Sequence, residues 1–183
     1  CEDPQIRLVD VGQLNKTHFM LRLGLGFAAE MMKEADRDIK SRFGRLAYVI
    51  SSAKAMKKIK EVKYEVKIDG KEYQSRGITC IVANSGSAGF TGLSLDSDIK
   101  VDDGLLDVMI VRKATIGLFG HIVATLFRGK RADNFELVQH WQGKDIEVTS
   151  TPQQVVECDG EILEKMPIRA KILPAVVKVL VPK

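Results

Sequence analysis

Residues 62–83 read VKYEVKIDGKEYQSRGITCIVA, and this stretch decides the class of fold. Its first seven residues alternate between apolar and polar side chains, which is the period of a β-strand with one buried face. Asp69-Gly70 then predicts a type I′ hairpin turn, because both central residues of that turn need positive φ. The chain returns over residues 71–76, and residues 78–83 form a nearly unbroken apolar run, which is typical of a strand buried on both faces.

Further strands are predicted on both sides of this stretch. They are Gln5–Val11, Lys16–Leu25, Leu105–Arg112, Phe135–Trp141, Asp145–Thr149, Gln154–Cys158, Ile168–Ile172 and Val176–Val181. Apolar residues at spacings of three and four predict helices over residues 28–43 and 45–59. The apolar stretch of residues 115–127, which starts at Lys113-Ala114-Thr115 and ends at Arg128-Gly129-Lys130, predicts a third. Because strands come in runs and do not alternate with helices, the sequence predicts an α+β fold. It is mainly antiparallel β, a two-sheet β-sandwich with two to three helices.

Composition narrows the possible functions. The chain has 183 residues and a formal net charge of +4, without the dense basic stripe of nucleic-acid binders, so no nucleic-acid partner is expected. Its three cysteines are far apart, which disfavours a disulfide framework or a zinc site and favours a reducing, cytoplasmic compartment. Six lysines between residues 54 and 67 are more simply a solvated face than a contact with an anionic membrane surface.

Two glycine-rich segments could face phosphate groups. Gly24–Ala29 matches the dinucleotide-binding pattern G-x-G-x-x-A, but two predicted helices follow it where that pattern requires a single helix and a second strand. A tight strand-to-helix turn is therefore the favoured interpretation, and a dinucleotide-binding oxidoreductase is a minor alternative. The loop Asn84–Gly92 could offer backbone N–H groups to a phosphate, or could simply be a flexible crossover.

Two acidic segments could carry chemistry. Asp102, Asp103 and Asp107 surround a turn at Gly104, where carboxylate and carbonyl oxygens could bind a hard cation. In Cys158-Asp159-Gly160-Glu161, the glycine permits a bend that could bring two carboxylates together as a general base. Taken singly, each segment is more often a solvated turn.

The order of these motifs resembles the carboxy-terminal domain of the diacylglycerol kinase family, which is related to sphingosine kinases and, more distantly, to NAD kinases. The resemblance covers essentially the whole chain, and the bacterial soluble branch is the most similar. Its most specific pieces are Asp102-Asp103-Gly104 before a strand, and Asp159-Gly160-Glu161 followed by Leu173-Pro174-Ala175. Ala28, where many members are acidic, and the proline-free stretch Leu93–Asp98 depart from the family pattern.

The resemblance implies that residues 1–183 are the carboxy-terminal β-sandwich domain of an ATP-dependent lipid kinase, whose γ-phosphoryl group goes to a lipid hydroxyl such as that of diacylglycerol. The family holds ATP on an amino-terminal domain with a Gly-Gly-Asp-Gly motif, which this sequence lacks, so the isolated chain is expected to be inactive. Glu161, with Asp159 beside it, would be the general base. Asp103 would bind Mg²⁺ together with the backbone carbonyls of Lys100 and Leu105.

The resemblance also implies the partners. A lipid alcohol would be the substrate, the protein would be cytoplasmic and peripheral at a membrane surface, and exposed edge strands would permit a homodimer. A non-catalytic lipid-binding or regulatory β-sandwich is the main alternative, in which the apolar segment of residues 115–127 and the lysine cluster would bind the lipid.

Overall fold

The computed structural model describes residues 4–26, 29, 60–86, 99–112, 138–163 and 167–182. These residues form two six-stranded sheets in which all paired strands are antiparallel, so the mainly antiparallel two-sheet fold is confirmed. The three predicted helices lie outside the described residues, apart from the helical Ala29, and their number stays a prediction.

Twelve strands lie in the described residues. In chain order they are β1 (Gln5–Leu14), β2 (Thr17–Phe19), β3 (Arg22–Gly26), β4 (Val62–Ile68), β5 (Lys71–Gly77), β6 (Thr79–Ala83), β7 (Leu106–Val111), β8 (Val138–Gly143), β9 (Asp145–Thr151), β10 (Val156–Cys158), β11 (Glu161–Leu163) and β12 (Ile168–Val181). The first sheet has the order β2-β1-β12-β9-β4-β5, and the second has the order β11-β10-β3-β6-β7-β8.

The stretch that decides the fold class behaves as its pattern predicts. All four apolar positions of β4 are buried, and all five residues of β6 are buried. Asp69 and Gly70 have φ values of 48° and 86°, which confirms the turn with two positive φ angles. After β5 the chain leaves the first sheet and continues as β6 in the second, so this one segment contributes to both layers of the sandwich.

Three strand predictions differ from the structure. The predicted strand Lys16–Leu25 is interrupted at Met20-Leu21, where the chain passes from β2 in the first sheet to β3 in the second. The last two predicted strands are one continuous strand, β12, because a bulge replaces the predicted break. The short edge strand β11 is missed by the sequence pattern, since its three residues are only partly covered and show no alternation.

The core lies between the two sheets and is built from the alternating residues that both inner faces contribute. Its largest fully buried side chains include Tyr64, Phe19, Leu23, Leu25, Leu106, Ile110, Ile146 and Ile168. At one margin, Tyr73 of β5 contacts Trp141 of β8 with ring centroids 5.4 Å apart, so the two sheets are joined through their edge strands.

Packing explains a glycine of the Gly24–Ala29 segment. Gly26 has φ +72°, and a Cβ built on it would lie 2.6 Å from the hydroxyl oxygen of Tyr64 and 2.8 Å from the carbonyl oxygen of Ile78. A larger residue would therefore clash with the core and would also strain the backbone. This agrees with a structural turn as the favoured interpretation of the glycine pattern.

A bulge in the β1–β12 pair positions a buried acid. Val9 pairs with Val177 and Val11 pairs with Leu173, so the single residue Asp10 lies opposite three residues of β12. Those three residues include Pro174, which has no N–H, and Ala175, whose φ is +54°. The Leu-Pro-Ala segment noted in the sequence therefore forms this bulge.

Candidate functional site

Asp159 and Gly160 form the two-residue turn of the β10–β11 hairpin. Their φ values are 47° and 97°, and Cys158 pairs with Glu161 directly below the turn. This is the same Asp-Gly type of turn as Asp69-Gly70. The alternation in Val62–Ile68 predicts the first of these hairpins, whereas the short strands β10 and β11 give no comparable pattern for the second.

The carboxylate of Asp159 is engaged by backbone. It accepts hydrogen bonds from the N–H groups of Met20 at 2.6 Å, Leu21 at 3.0 Å and Arg22 at 2.8 Å, while the Asp159 N–H donates to the Arg22 carbonyl at 3.1 Å. A non-glycine residue in the left-handed region costs about 1–2 kcal/mol, and hydrogen bonds to a charged acceptor offset this cost. Asp159 thereby fixes the crossing between the two sheets.

Glu161 is in different surroundings. It is the exposed first residue of the edge strand β11, and its pairing with Cys158 puts it on the same face of the sheet as that residue. No hydrogen bond or ion pair joins its carboxylate to another residue within the described ranges. The two predicted catalytic acids are thus neighbours with different contacts, and their catalytic role stays a prediction.

Glu157 and Arg22 form a buried ion pair that the sequence analysis missed. The Glu157 side chain is 1% exposed and that of Arg22 is 11% exposed, and Arg22 Nη1 lies 3.0 Å from Glu157 Oε2 without the angle of a hydrogen bond. Glu157 Oε1 accepts the N–H of Gly160 at 2.5 Å. Burial raises the pKa of Glu157, while the Arg22 charge and the Gly160 N–H oppose that rise. The available signal in the sequence was an acidic residue inside a predicted strand, two residues before the turn aspartate.

The cysteine of this hairpin is not a candidate nucleophile. Burial, reinforced by the carboxylates of Asp159, Glu157 and Glu161, raises the pKa of the Cys158 thiol to about 11. The thiol is therefore protonated at neutral pH and is a weak nucleophile.

The second candidate segment is the turn that precedes β7. Asp103 Oδ1 accepts the N–H of Leu105 at 3.0 Å, and Gly104 has φ +71°. The neighbouring Asp102 is paired with Arg7, whose Nη2 and Nε lie 2.7 and 2.9 Å from Oδ2. The exposed Lys100 begins the turn.

Asp10 anchors this turn to the bulge of β12. Its carboxylate is 2% exposed and accepts the N–H of Gly104 at 2.7 Å on Oδ2 and the N–H of Ala175 at 2.7 Å on Oδ1. Its own N–H donates to the Val101 carbonyl at 2.7 Å. The sequence analysis did not select Asp10, because it lies inside a predicted strand, where an acid usually faces solvent.

Asn84 connects the two acidic segments. Its Nδ2 donates to the carbonyl oxygens of Asp10 and Met20, both at 3.0 Å, and its backbone N–H donates to Leu21 at 2.9 Å. Since Met20 is itself held by Asp159, a continuous hydrogen-bonded path runs from the Gly104 turn to the β10–β11 hairpin. Asn84 begins the loop that could face a phosphate. Residues 87–92 of that loop lie outside the described residues.

The donor set at the Gly104 turn suits a hard cation. No group of three or more His, Cys, Asp or Glu side chains that could hold a metal occurs among the described residues. The predicted site needs only one carboxylate, that of Asp103, and the carbonyls of Lys100 and Leu105, and oxygen donors of this kind are those that Mg²⁺ prefers. Arg7 is paired with Asp102 and not with Asp103. Asp103 Oδ2 has no hydrogen-bond or ion-pair partner in the described part of the chain.

Within the part of the chain that the structure describes, no helix is both long enough and apolar enough to cross a membrane.

The two Asp-Gly hairpins provide a matched stability test. We expect Asp159→Ala and Asp69→Ala each to lower the free energy of unfolding by about 1–3 kcal/mol, because backbone N–H groups lose their acceptor. The Asn variants should cost less, since asparagine tolerates positive φ and keeps one acceptor oxygen. Urea denaturation of the Ala and Asn variants at both positions measures these differences. An Asp159→Ala variant as stable as the wild type would show that these contacts do not support the hairpin.

Glu157 predicts a pH dependence. Because its pKa is raised above the ordinary value of 4.5, ionising it in the folded state costs free energy, so its contribution to stability falls as pH rises through the raised pKa. The free energy of unfolding of the wild type minus that of Glu157→Gln should therefore decrease above about pH 4.5 and then level off. Denaturation curves across this range measure the difference. A difference that grows with pH would mean that attraction to Arg22 outweighs burial.

Comparisons with known proteins agree with this architecture. A Staphylococcus aureus protein named "Putative lipid kinase" is 26% identical over 180 residues, which are 96% of this chain and 57% of that protein. A Synechocystis sp. protein is 27% identical over 179 residues, 96% of this chain and 41% of that protein. The chain thus spans about half the length of these relatives.

A solved structure from Bacillus anthracis str. Sterne, described as "a putative diacylglycerol kinase", has a TM-score of 0.71 at 22% identity, and the match covers 95% of this chain and 57% of that one. This likeness shows a shared fold. The family model described as "YegS C-terminal NAD kinase beta sandwich-like domain" matches residues 22–181, which include the whole second sheet, four of the six strands of the first sheet and both acidic segments. The chain therefore belongs to the family of YegS C-terminal NAD kinase beta sandwich-like domains.

Proposed function

We propose that this chain is the lipid-side domain of an ATP-dependent lipid kinase, which transfers the γ-phosphoryl group to a lipid hydroxyl such as that of diacylglycerol. The names of the Staphylococcus aureus and Bacillus anthracis proteins support the reaction class. The observation that carries the proposal is the contrast at the β10–β11 hairpin. Asp159 is committed to backbone, while Glu161 presents a carboxylate with no partner among the described residues.

Glu161 would be the general base in this reaction. Its carboxylate would accept the proton of the lipid hydroxyl as the hydroxyl oxygen forms a bond to the γ-phosphorus. The bond between that phosphorus and the β,γ-bridging oxygen breaks, and ADP leaves. Phosphoryl transfer depends mainly on positioning and charge stabilisation, so a single well-held base is sufficient on this side of the reaction. Asp159 would contribute by holding the turn from which Glu161 projects.

In this proposal, residues 1–183 are the carboxy-terminal domain, and ATP is bound mainly by a separate nucleotide-binding domain. The isolated chain would then be inactive, because the cleft would be completed only by both domains. The protein would act in the cytoplasm, peripherally at a membrane surface where its lipid alcohol is found, and could form a homodimer through exposed edge strands.

Mg²⁺ is the proposed cofactor. Asp103 would hold it through its carboxylate, and Lys100 and Leu105 through their backbone carbonyls. A bound Mg²⁺ would brace the Gly104 turn and stabilise negative charge near it. The support is the oxygen donor set, the positive φ of Gly104, and the anchoring of the turn by Asp10.

Replacing the proposed base tests the function. In the full-length protein, Glu161→Gln should lower kcat for a lipid alcohol about 10²- to 10⁴-fold and change KM for ATP little, since a general base acts mainly on the transition state. Glu72→Gln is the matched control, because Glu72 is an exposed acid close to the other Asp-Gly turn. Full turnover in Glu161→Gln would refute the assignment of the base.

Thermal unfolding tests the metal site without any activity assay. Addition of Mg²⁺ should raise the melting temperature of the protein, because a ligand that binds only the folded state stabilises it. Asp103→Asn should abolish the rise, and Asp102→Asn should preserve it, since Asp102 is paired with Arg7. An equal response in all three proteins would place the Mg²⁺ elsewhere.

A further inference from the structure

We infer that Arg22 and Glu157 are positioning residues for Glu161, and that their buried pair holds the Asp159-Gly160 turn in the conformation that presents the base. The inference rests on the proposed function for its kinetic consequence. Its geometric basis is independent of that function and comes from a comparison of two hairpins within this chain.

The two Asp-Gly hairpins share one frame. In each, the turn aspartate donates its N–H to the carbonyl of a residue on the neighbouring strand, from Asp69 to Asp145 at 2.9 Å and from Asp159 to Arg22 at 3.1 Å. Each aspartate also accepts the N–H of that same residue on Oδ1, at 2.9 Å and 2.8 Å respectively. Asp145 and Arg22 therefore occupy equivalent positions, as do Asp69 and Asp159.

The hairpins differ in the two residues of the ion pair. The position of Glu157, two residues before the turn aspartate, is taken in the other hairpin by Lys67, an exposed cation that cannot accept the N–H of Gly70. The position of Arg22 is taken by Asp145, whose side chain is 58% exposed and forms an exposed ion pair with Lys171 at 3.6 Å. A type I′ Asp-Gly turn thus forms in this protein without any buried pair.

The buried pair of Arg22 and Glu157 is therefore not needed to form an Asp-Gly turn. Arg22 contacts the hairpin through its backbone N–H, its carbonyl and its guanidinium group, and Glu157 holds the N–H of Gly160 from inside the sheet. Burying an ion pair seldom adds net stability over an apolar pair of similar size, and in some proteins such a pair instead specifies conformation, which is the role we assign to Arg22 and Glu157. The residue that follows this clamped turn is Glu161, and the residue that follows the unclamped turn is the exposed Lys71.

The double variant Arg22→Met/Glu157→Met separates positioning from stability. Because it replaces the pair by apolar side chains of similar length, we expect a melting temperature within a few degrees of that of the wild type. In the full-length protein its kcat should fall about 10- to 100-fold with KM for ATP unchanged, since small displacements of a reacting group cost this much. Glu157→Gln, which keeps an acceptor for the N–H of Gly160, should lower kcat less than Glu157→Met does.

The amide resonance of Gly160 gives a readout that does not depend on activity. Its proton shift should move upfield in Glu157→Met and less so in Glu157→Gln, while the amide of Gly70 should not move in either variant. If the Gly160 amide stays in place, or if it moves while kcat keeps its wild-type value, the positioning role is refuted. If the double variant does not fold, kcat and the Gly160 amide shift of Glu157→Met and Glu157→Gln test the positioning role instead.

The failure of the proposed function is distinguishable from this result. Full turnover in Glu161→Gln would refute the assignment of Glu161 as the base. The amide shift of Gly160 would then test only whether Glu157 holds the turn. A large loss in Glu161→Gln together with full turnover in both Glu157 variants would leave the base in place and refute only the positioning role.

Discussion

The candidate site depends on the carboxylate of Asp159, which accepts hydrogen bonds from three backbone N–H groups. Met20 and Leu21 lie where the chain crosses from one sheet to the other, so their amides have no strand partner in either sheet. Asp159 supplies the acceptor for both amides, and for the N–H of Arg22, at a single point, and hydrogen bonds to a charged acceptor are stronger than those between neutral groups. The same contact fixes the turn from which Glu161 projects, so the crossing and the candidate site depend on one residue.

Asp10 binds backbone N–H groups in the same way at the Gly104 turn. It lies at a bulge, where the ladder between β1 and β12 leaves amides unpaired, and it binds the amides of Gly104 and Ala175. Asn84 links the two centres through the carbonyls of Asp10 and Met20. The candidate metal turn and the candidate base are therefore supported by one polar network, in which the displacement of either centre disturbs contacts of the other.

The fold was largely predictable, because strand alternation and Asp-Gly turns are local signals. Val62–Ile68 and its turn were read correctly, whereas β11 was missed because three residues at an edge show no period. The site was predictable only in part. A sequence shows that residue 157 is acidic, but not that Arg22, 135 positions earlier, lies beside it, because only the pairing of β10 with β3 brings them together. Asp10 was missed for a different reason, because an acid inside a predicted strand usually faces solvent and only the structure shows that Asp10 is buried.

The acids of this site illustrate how surroundings assign different roles to one chemical group. Asp10 and Glu157 are buried and bind backbone amides, and Asp159 is exposed and accepts three backbone N–H groups. Only a carboxylate that is accessible and held on an immobile backbone can combine proton affinity with position. Glu161 is exposed, and it pairs with Cys158 directly below a turn whose Gly160 N–H is bound by Glu157. The difference between the three acids that bind backbone and the candidate base therefore follows from their hydrogen bonds and their burial, which residue type alone does not specify.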